Sequence, residues 1–194
     1  MQQFYDRKEE IFQWVKPYME ERFQDSCQVI QEEVVEHSHE IWEELQTVIS
    51  ELLTNAESMQ KQHQKGKIKY LAVSFLNYSL YSNCIEYRLD LLDDGFYLDE
   101  QEVMGYYCPL FIQERYRSDL ENFHDRISTE VKRVHNYELQ DIDREYTKLY
   151  DAIIFNMIDS MSQLIVETVK KSGVYLAEDF KIIYGEYMDR AVVL

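Results

Sequence analysis

Two stretches of this chain carry residue types at spacings that metal chemistry uses. "EEVVEHSHEIWEEL", residues 32–45, contains Glu36 and His39 as a Glu-x-x-His pair, and "ENFH", residues 121–124, supplies Glu121 and His124 as a second. Residues three apart share a helix face, so each pair offers one carboxylate and one imidazole to the same ion. Two such pairs, joined by a Glu from each of two other helices, hold the metals of carboxylate-bridged di-iron and di-manganese bundles. Iron or manganese is thus the cofactor of one alternative reading, a metal-dependent helical-bundle enzyme. The leading reading has no cofactor.

Helical projection separates the two. At ~100° per residue and centred on Val34, Glu36 falls at about 200° and His39 at about 140°, away from the apolar stripe. Centred on Ile127, His124 lies at about 60° and Glu121 at about 120°, on a flank. A bundle metal site needs inward projection, so the wheels predict solvated Glu–His contacts instead, each worth a few tenths of a kcal/mol. His37 is placed differently, at about −60° on the Val34 wheel, the border of the stripe. Glu33 precedes it by four residues and Glu40 follows by three. A half-buried imidazole between two carboxylates holds its proton more readily, which makes His37, Glu33 and Glu40 a candidate pH-sensitive contact.

A third candidate is a polar row, Asn156, Ser160, Gln163 and Glu167, at 4-3-4 spacing in an otherwise apolar stretch. It reads either as the one wet side of a core helix or, with Tyr146 and Tyr150 one or two turns earlier, as the wall of a ligand pocket. Buried polar groups in such numbers demand partners, and a bound ligand would be one. Tyrosine is abundant, 16 residues against 2 Trp, and a partly buried phenol normally finds a partner for its hydroxyl.

The elements that must position these residues are mostly helical by pattern. Residues 3–16 read as a short helix with Phe4, Ile11, Trp14 and Val15 as contacts, and Pro17 kinks it or opens the next. A long amphipathic helix follows over about 18–55, with Phe23, Cys27, Ile30, Val34, Ile41, Leu45, Val48 and Leu52 recurring at threes and fours. Residues 55–67 lose that pattern and form a connection. The stretch 68–82 fits a buried helix or a strand. "CIEYRLDLL" then alternates with period two, which predicts a strand with one wet face. The Asp93-Asp94-Gly95 turn is expected to return the chain as a second short strand, giving an antiparallel hairpin near residues 84–99.

Helix is expected to resume from about 100, to break at Pro109, and to continue to about 137 with Tyr116, Leu120, Phe123, Ile127, Val131 and Val134 as its stripe. A central helix spans about 139–171 and ends at Ser172-Gly173. A last helix over about 175–190 carries Leu176, Phe180, Ile183 and Tyr187. The expected fold is mainly α, a bundle of about five to six helices in a single domain over 1–194, with 68–99 as a helix and hairpin insert.

Composition bounds the function. With 37 acidic against 20 basic side chains the formal charge is −17, which disfavours contact with nucleic acid or anionic membranes because both require a basic surface. No run approaches the ~18 apolar residues of a membrane span. Cys27, Cys84 and Cys108 lack metal or redox spacing and read as small hydrophobes in a reduced, cytoplasmic setting, with Cys108 inert. Glycine is scarce, 5 residues, and no nucleotide-binding, hydrolase or metalloprotease signature is present. The sequence therefore points to a non-catalytic binding or sensing module for a small ligand or a protein partner. The metal enzyme and a structural homo-oligomer, for instance a homodimer paired along the hairpin edge, are the alternatives.

Overall fold

The computed structural model describes residues 7–194. The first six residues, with Phe4 and the expected start of the first helix, lie outside the described residues. Helix α1, Arg7–Glu36, buries Ile11, Val15, Met19, Ser26 and Ile30 along one face. Pro17 lies inside α1 and removes one N–H from its ladder without ending it. Helix α2, Ser38–Lys61, follows after an interruption at His37 alone, where φ is −113° and ψ is 25°. Since His37 N still donates to Glu33 O at 2.8 Å and His37 O accepts from Ile41 N at 3.0 Å, the long helix read over 18–55 is two helices meeting at a kink.

The rest of the chain corrects the expected bundle. The fold is α/β: five helices and a mixed five-stranded sheet among the described residues. Strand β1, Ile68–Phe75, resolves the ambiguous stretch as a strand, followed by a one-turn helix α3, Ser79–Ser82. Strand β2, Tyr87–Leu92, is the alternating segment. Its alternation is real, but the supposedly wet face is covered. Asp90 is 2% exposed and takes Arg88 Nε on both carboxylate oxygens at 2.9 Å. Residues Phe96–Leu98 form a 3-10 turn rather than the expected returning strand. The partner on that side is β3, Met104–Tyr107, where helix was expected. Pro109 then caps helix α4, Leu110–Glu130, and His135 caps helix α5, Asn136–Lys171.

The expected last helix is the largest correction. Residues Leu176–Glu186 are strand β4, and Ala191–Val193 are strand β5. The apolar positions 176, 180, 183 and 187 match a helical stripe, yet the same stretch alternates. Ile182 and Tyr184 belong to the main core, while Ile183 lies in a smaller cluster with Ala72 and Leu92. What decides is β1, whose Leu71 and Val73 pair in parallel with Ile182 and Tyr184. A parallel partner so distant in sequence leaves no local trace.

The strand order is β3-β2-β1-β4-β5, with only the β1–β4 pair parallel. One sheet face packs on α2 and α5, and α1 and α4 pack against α5 behind it. The other face is closed over its centre by Tyr70, Phe96 and Tyr97. By length and composition α5 would pass for a membrane-crossing helix. Here it is the central helix, burying Ile142, Tyr146, Tyr150, Ile154, Ile158, Ile165 and Val169.

The β4–β5 turn depends on one glycine. A Cβ at Gly185 would lie 2.0 Å from the Arg190 carbonyl oxygen, where the Glu186 N–H donates back to that oxygen at 3.2 Å. Gly185→Ala is therefore expected to cost about 1–3 kcal/mol by forcing the two backbones apart. Urea unfolding would read the loss, and amide exchange should place it in β4 and β5.

Candidate functional site

Tyrosine hydroxyls and aspartates on α4 and α5 form two centres. In the first, Asp119 of α4 is fully buried. Its Oδ1 accepts from Arg22 Nε at 2.6 Å, and its Oδ2 accepts from Ser26 Oγ at 2.6 Å, Tyr146 OH at 2.6 Å and Tyr150 OH at 2.8 Å. Arg115 Nε donates to Ser26 Oγ at 2.8 Å and stands 3.7 Å from Asp119 Oδ1. One α4 carboxylate thus satisfies donors from α1 and α5. Burial, reinforced by the nearby carboxylate, drives both tyrosine hydroxyls far above the ordinary phenol value, so they stay protonated and donate. The carboxylate itself is buried while Arg22 and Arg115 stay partly exposed, and the network ties α1, α4 and α5 together.

Beside it, Tyr116 OH and Thr147 Oγ1 lie 2.7 Å apart, and His124 Nε2 lies 2.7 Å from Asp143 Oδ1. The bond to Asp143 raises the His124 pKa above its ordinary 6.5, more than partial burial lowers it. Because the folded value is the higher one, the pair's stabilisation is full below the unfolded pKa and is lost as pH rises through the folded one. His124→Ala is accordingly expected to cost about 1 kcal/mol more at about pH 5.5 than at about pH 8.5. Paired urea titrations at the two pH values measure it.

The second centre lies between α5 and the sheet. Asp151 Oδ1 accepts from Tyr87 OH at 2.7 Å and from Tyr184 OH at 2.6 Å. Tyr87 and Tyr184 stand on β2 and β4, on the face that meets α5, with ring centroids 5.9 Å apart. Burial, then the neighbouring tyrosine and aspartate for Tyr87 and the aspartate for Tyr184, push both hydroxyls well above the usual phenol range. Unlike Asp119, Asp151 opens onto a cavity of about 590 Å³, walled by Ala152, Phe155, Tyr184, Glu186, Asp189 and Arg190 among others. Phe155 meets Tyr184 edge to face at 5.2 Å. Lys148 lines the rim, its ammonium 2.7 Å from Glu145. The cavity sits at the carboxyl end of β4, beside the turn into β5. A larger depression of about 730 Å³ follows α2 from Glu43 to Asn55, but polar side chains of one helix line it and nothing converges there.

The residues singled out by pattern are placed as follows. Glu33, Glu36, His37, His39 and Glu40 are all exposed around the α1–α2 kink, with His37 Nδ1 4.0 Å from Glu40 Oε1 and His39 Nδ1 3.4 Å from Glu43 Oε2. Glu121 is exposed, and His124 turns to Asp143 rather than to Glu121. The two Glu-x-x-His pairs do not converge, and no group of three or more potential metal ligands forms among the described residues. Asn156, Ser160, Gln163 and Glu167 are exposed, and Asn156 and Ser160 bond the carbonyls of Ala152 and Met157 in their own helix. Tyr146 and Tyr150 are buried, but on Asp119 and not beside that row.

Pattern reading missed Asp119, Arg22, Ser26, Asp151, Tyr87 and Tyr184. A signal existed for the acids. Asp119 follows Tyr116 by three residues inside the stripe Tyr116, Leu120, Phe123, and Asp151 lies four after the buried Thr147. A carboxylate at stripe spacing asks for donors. Comparison with known proteins adds nothing to the geometry: no protein family, no curated protein and no solved structure matches the chain.

Proposed function

We propose that this chain is a non-catalytic binding module that takes a small organic cation, an amine bearing an apolar or aromatic body, into the cavity between α5 and the β4–β5 turn. The observation that carries this reading is Asp151, a carboxylate fixed by two buried phenols on the wall of an open cavity. Both phenols are spent on Oδ1, which leaves Oδ2 as an acceptor with no hydrogen bond among the described residues. Preorganisation of this kind lowers the ordering cost of binding. A charge-assisted bond from an ammonium to a carboxylate is among the stronger polar contacts.

The apolar body of the ligand would lie against Phe155 and Tyr184, whose ring faces attract cations. The charge balance of the lining agrees. Asp151, Glu186 and Asp189 face Arg190 and a Lys148 already paired with Glu145. The chain's −17 charge adds a long-range attraction for cations at low salt.

Calorimetric titration with 2-phenylethylamine, 2-phenylethanol and 3-phenylpropionate tests the reading. The amine is expected to bind at least about tenfold more tightly than the alcohol, as one charge-assisted hydrogen bond implies, and the carboxylate not at all. Equal affinity for all three, or preference for the acid, overturns it.

A further inference from the structure

Cys84 lies three residues before β2 and Cys108 directly after β3. The pairing of Tyr87 with Tyr107 closes the β2–β3 ribbon between them, which brings residues 24 apart in sequence to a Sγ–Sγ distance of 4.0 Å. Both thiols are free and half-buried, so each keeps a path to solvent. Neither sits in a strand or helix. Cys84 follows Asn83, a left-handed residue with φ 52°, and Cys108 belongs to the short link into α4.

We propose that Cys84 and Cys108 are a redox-modification site that closes to an intramolecular disulfide when a hydroperoxide is supplied. The sulfurs must approach from 4.0 Å to about 2.05 Å, a movement that side-chain rotation in two irregular segments can deliver. One thiolate attacks a peroxide oxygen and the O–O bond breaks. The released hydroxide takes a proton to leave as water, and the attacking sulfur is left as a sulfenic acid. The second thiolate attacks that sulfur, the S–O bond breaks, and a second water leaves. The two sulfurs give up two electrons, one peroxide accepts them, and the two thiol protons end in water.

Burial and the neighbouring Cys84 sulfur push the Cys108 thiol up to about 11, so closure is expected to quicken as pH rises. Cys27, on α1 and half-buried, is the internal control.

The test uses the full reduced chain treated with hydrogen peroxide at about pH 8, followed by intact mass without reductant, peptide mapping and thermal unfolding. The expected product is a monomer lighter by about 2 Da, with Cys84 joined to Cys108. Its Tm should rise by about 5–10 °C from the closed loop, and dithiothreitol should reverse both changes. Cys84→Ser and Cys108→Ser should each abolish the product, and Cys27→Ser should leave it intact. Sulfinic acids in place of the bond, a bond through Cys27, or a covalent dimer as the main product overturns the proposal. The wild-type mass decides even if a serine variant folds poorly.

Discussion

Asp119→Ala is expected to destabilise the protein by about 3–5 kcal/mol, the loss typical of removing one partner from a buried ion pair. The physical reason is what remains behind. Arg22 loses the carboxylate 2.6 Å away, and the buried hydroxyls of Tyr146 and Tyr150 lose the carboxylate oxygen they share. Unpaired buried donors carry their full desolvation cost. Against a typical total of about 5–15 kcal/mol, such a loss can leave little folded protein, so Asp119→Asn and Tyr146→Phe serve as graded versions. Asn keeps an acceptor for the phenols but gives up the charge facing Arg22, and should fall between wild type and Ala. Tyr146→Phe removes one donor together with its demand, and should cost about 1–2 kcal/mol. Urea unfolding gives all three values. A loss below about 1 kcal/mol for Asp119→Ala would mean that the three helices are held by apolar packing alone.

Asp151→Asn is expected to weaken binding of 2-phenylethylamine by about 10–100-fold, the range set by losing one charge-assisted hydrogen bond of about 1.5–3 kcal/mol. The substitution keeps a carbonyl oxygen for Tyr87 and Tyr184, so the fold should lose only about 1 kcal/mol. Affinity and stability are thus separated by design. Tyr87→Phe probes the same centre from the other side. Asp151 keeps its charge but loses one of the two hydroxyls that orient it, so binding should weaken by less than in Asp151→Asn. Unchanged amine affinity in Asp151→Asn would remove the carboxylate from the site.

Much of the helical framework was legible because each helix buries a stripe at threes and fours. Ile41, Leu45 and Leu52 of α2 and Tyr116, Leu120, Phe123 and Ile127 of α4 are all in the core. The strand at Tyr87–Leu92 was legible from its alternation, although Arg88 and Asp90 pair under cover instead of facing water. The sheet as a whole was not. Strand β3 has four residues, too few for a period to register. Strand β4 satisfies a helical spacing as well as an alternating one, and only pairing with β1 from far away in sequence selects between them. The Asp151 centre needs that sheet, since Tyr87 and Tyr184 reach one carboxylate only once β2, β1 and β4 lie side by side. The abundance of tyrosine pointed to polar-aromatic chemistry. Which acids the hydroxyls serve is a property of tertiary packing.

The reading of the Asp151 cavity as a cation site is tested most directly by following backbone amide resonances of the isotopically labelled full chain while 2-phenylethylamine is added. Saturable shifts are predicted for residues lining the cavity on α5 and the β4–β5 turn, centred on Asp151, Ala152, Gly185 and Glu186, and they should vanish in Asp151→Asn. Shifts clustered elsewhere, such as along Glu43 to Asn55 of α2, or no saturable shift at any position, would contradict it.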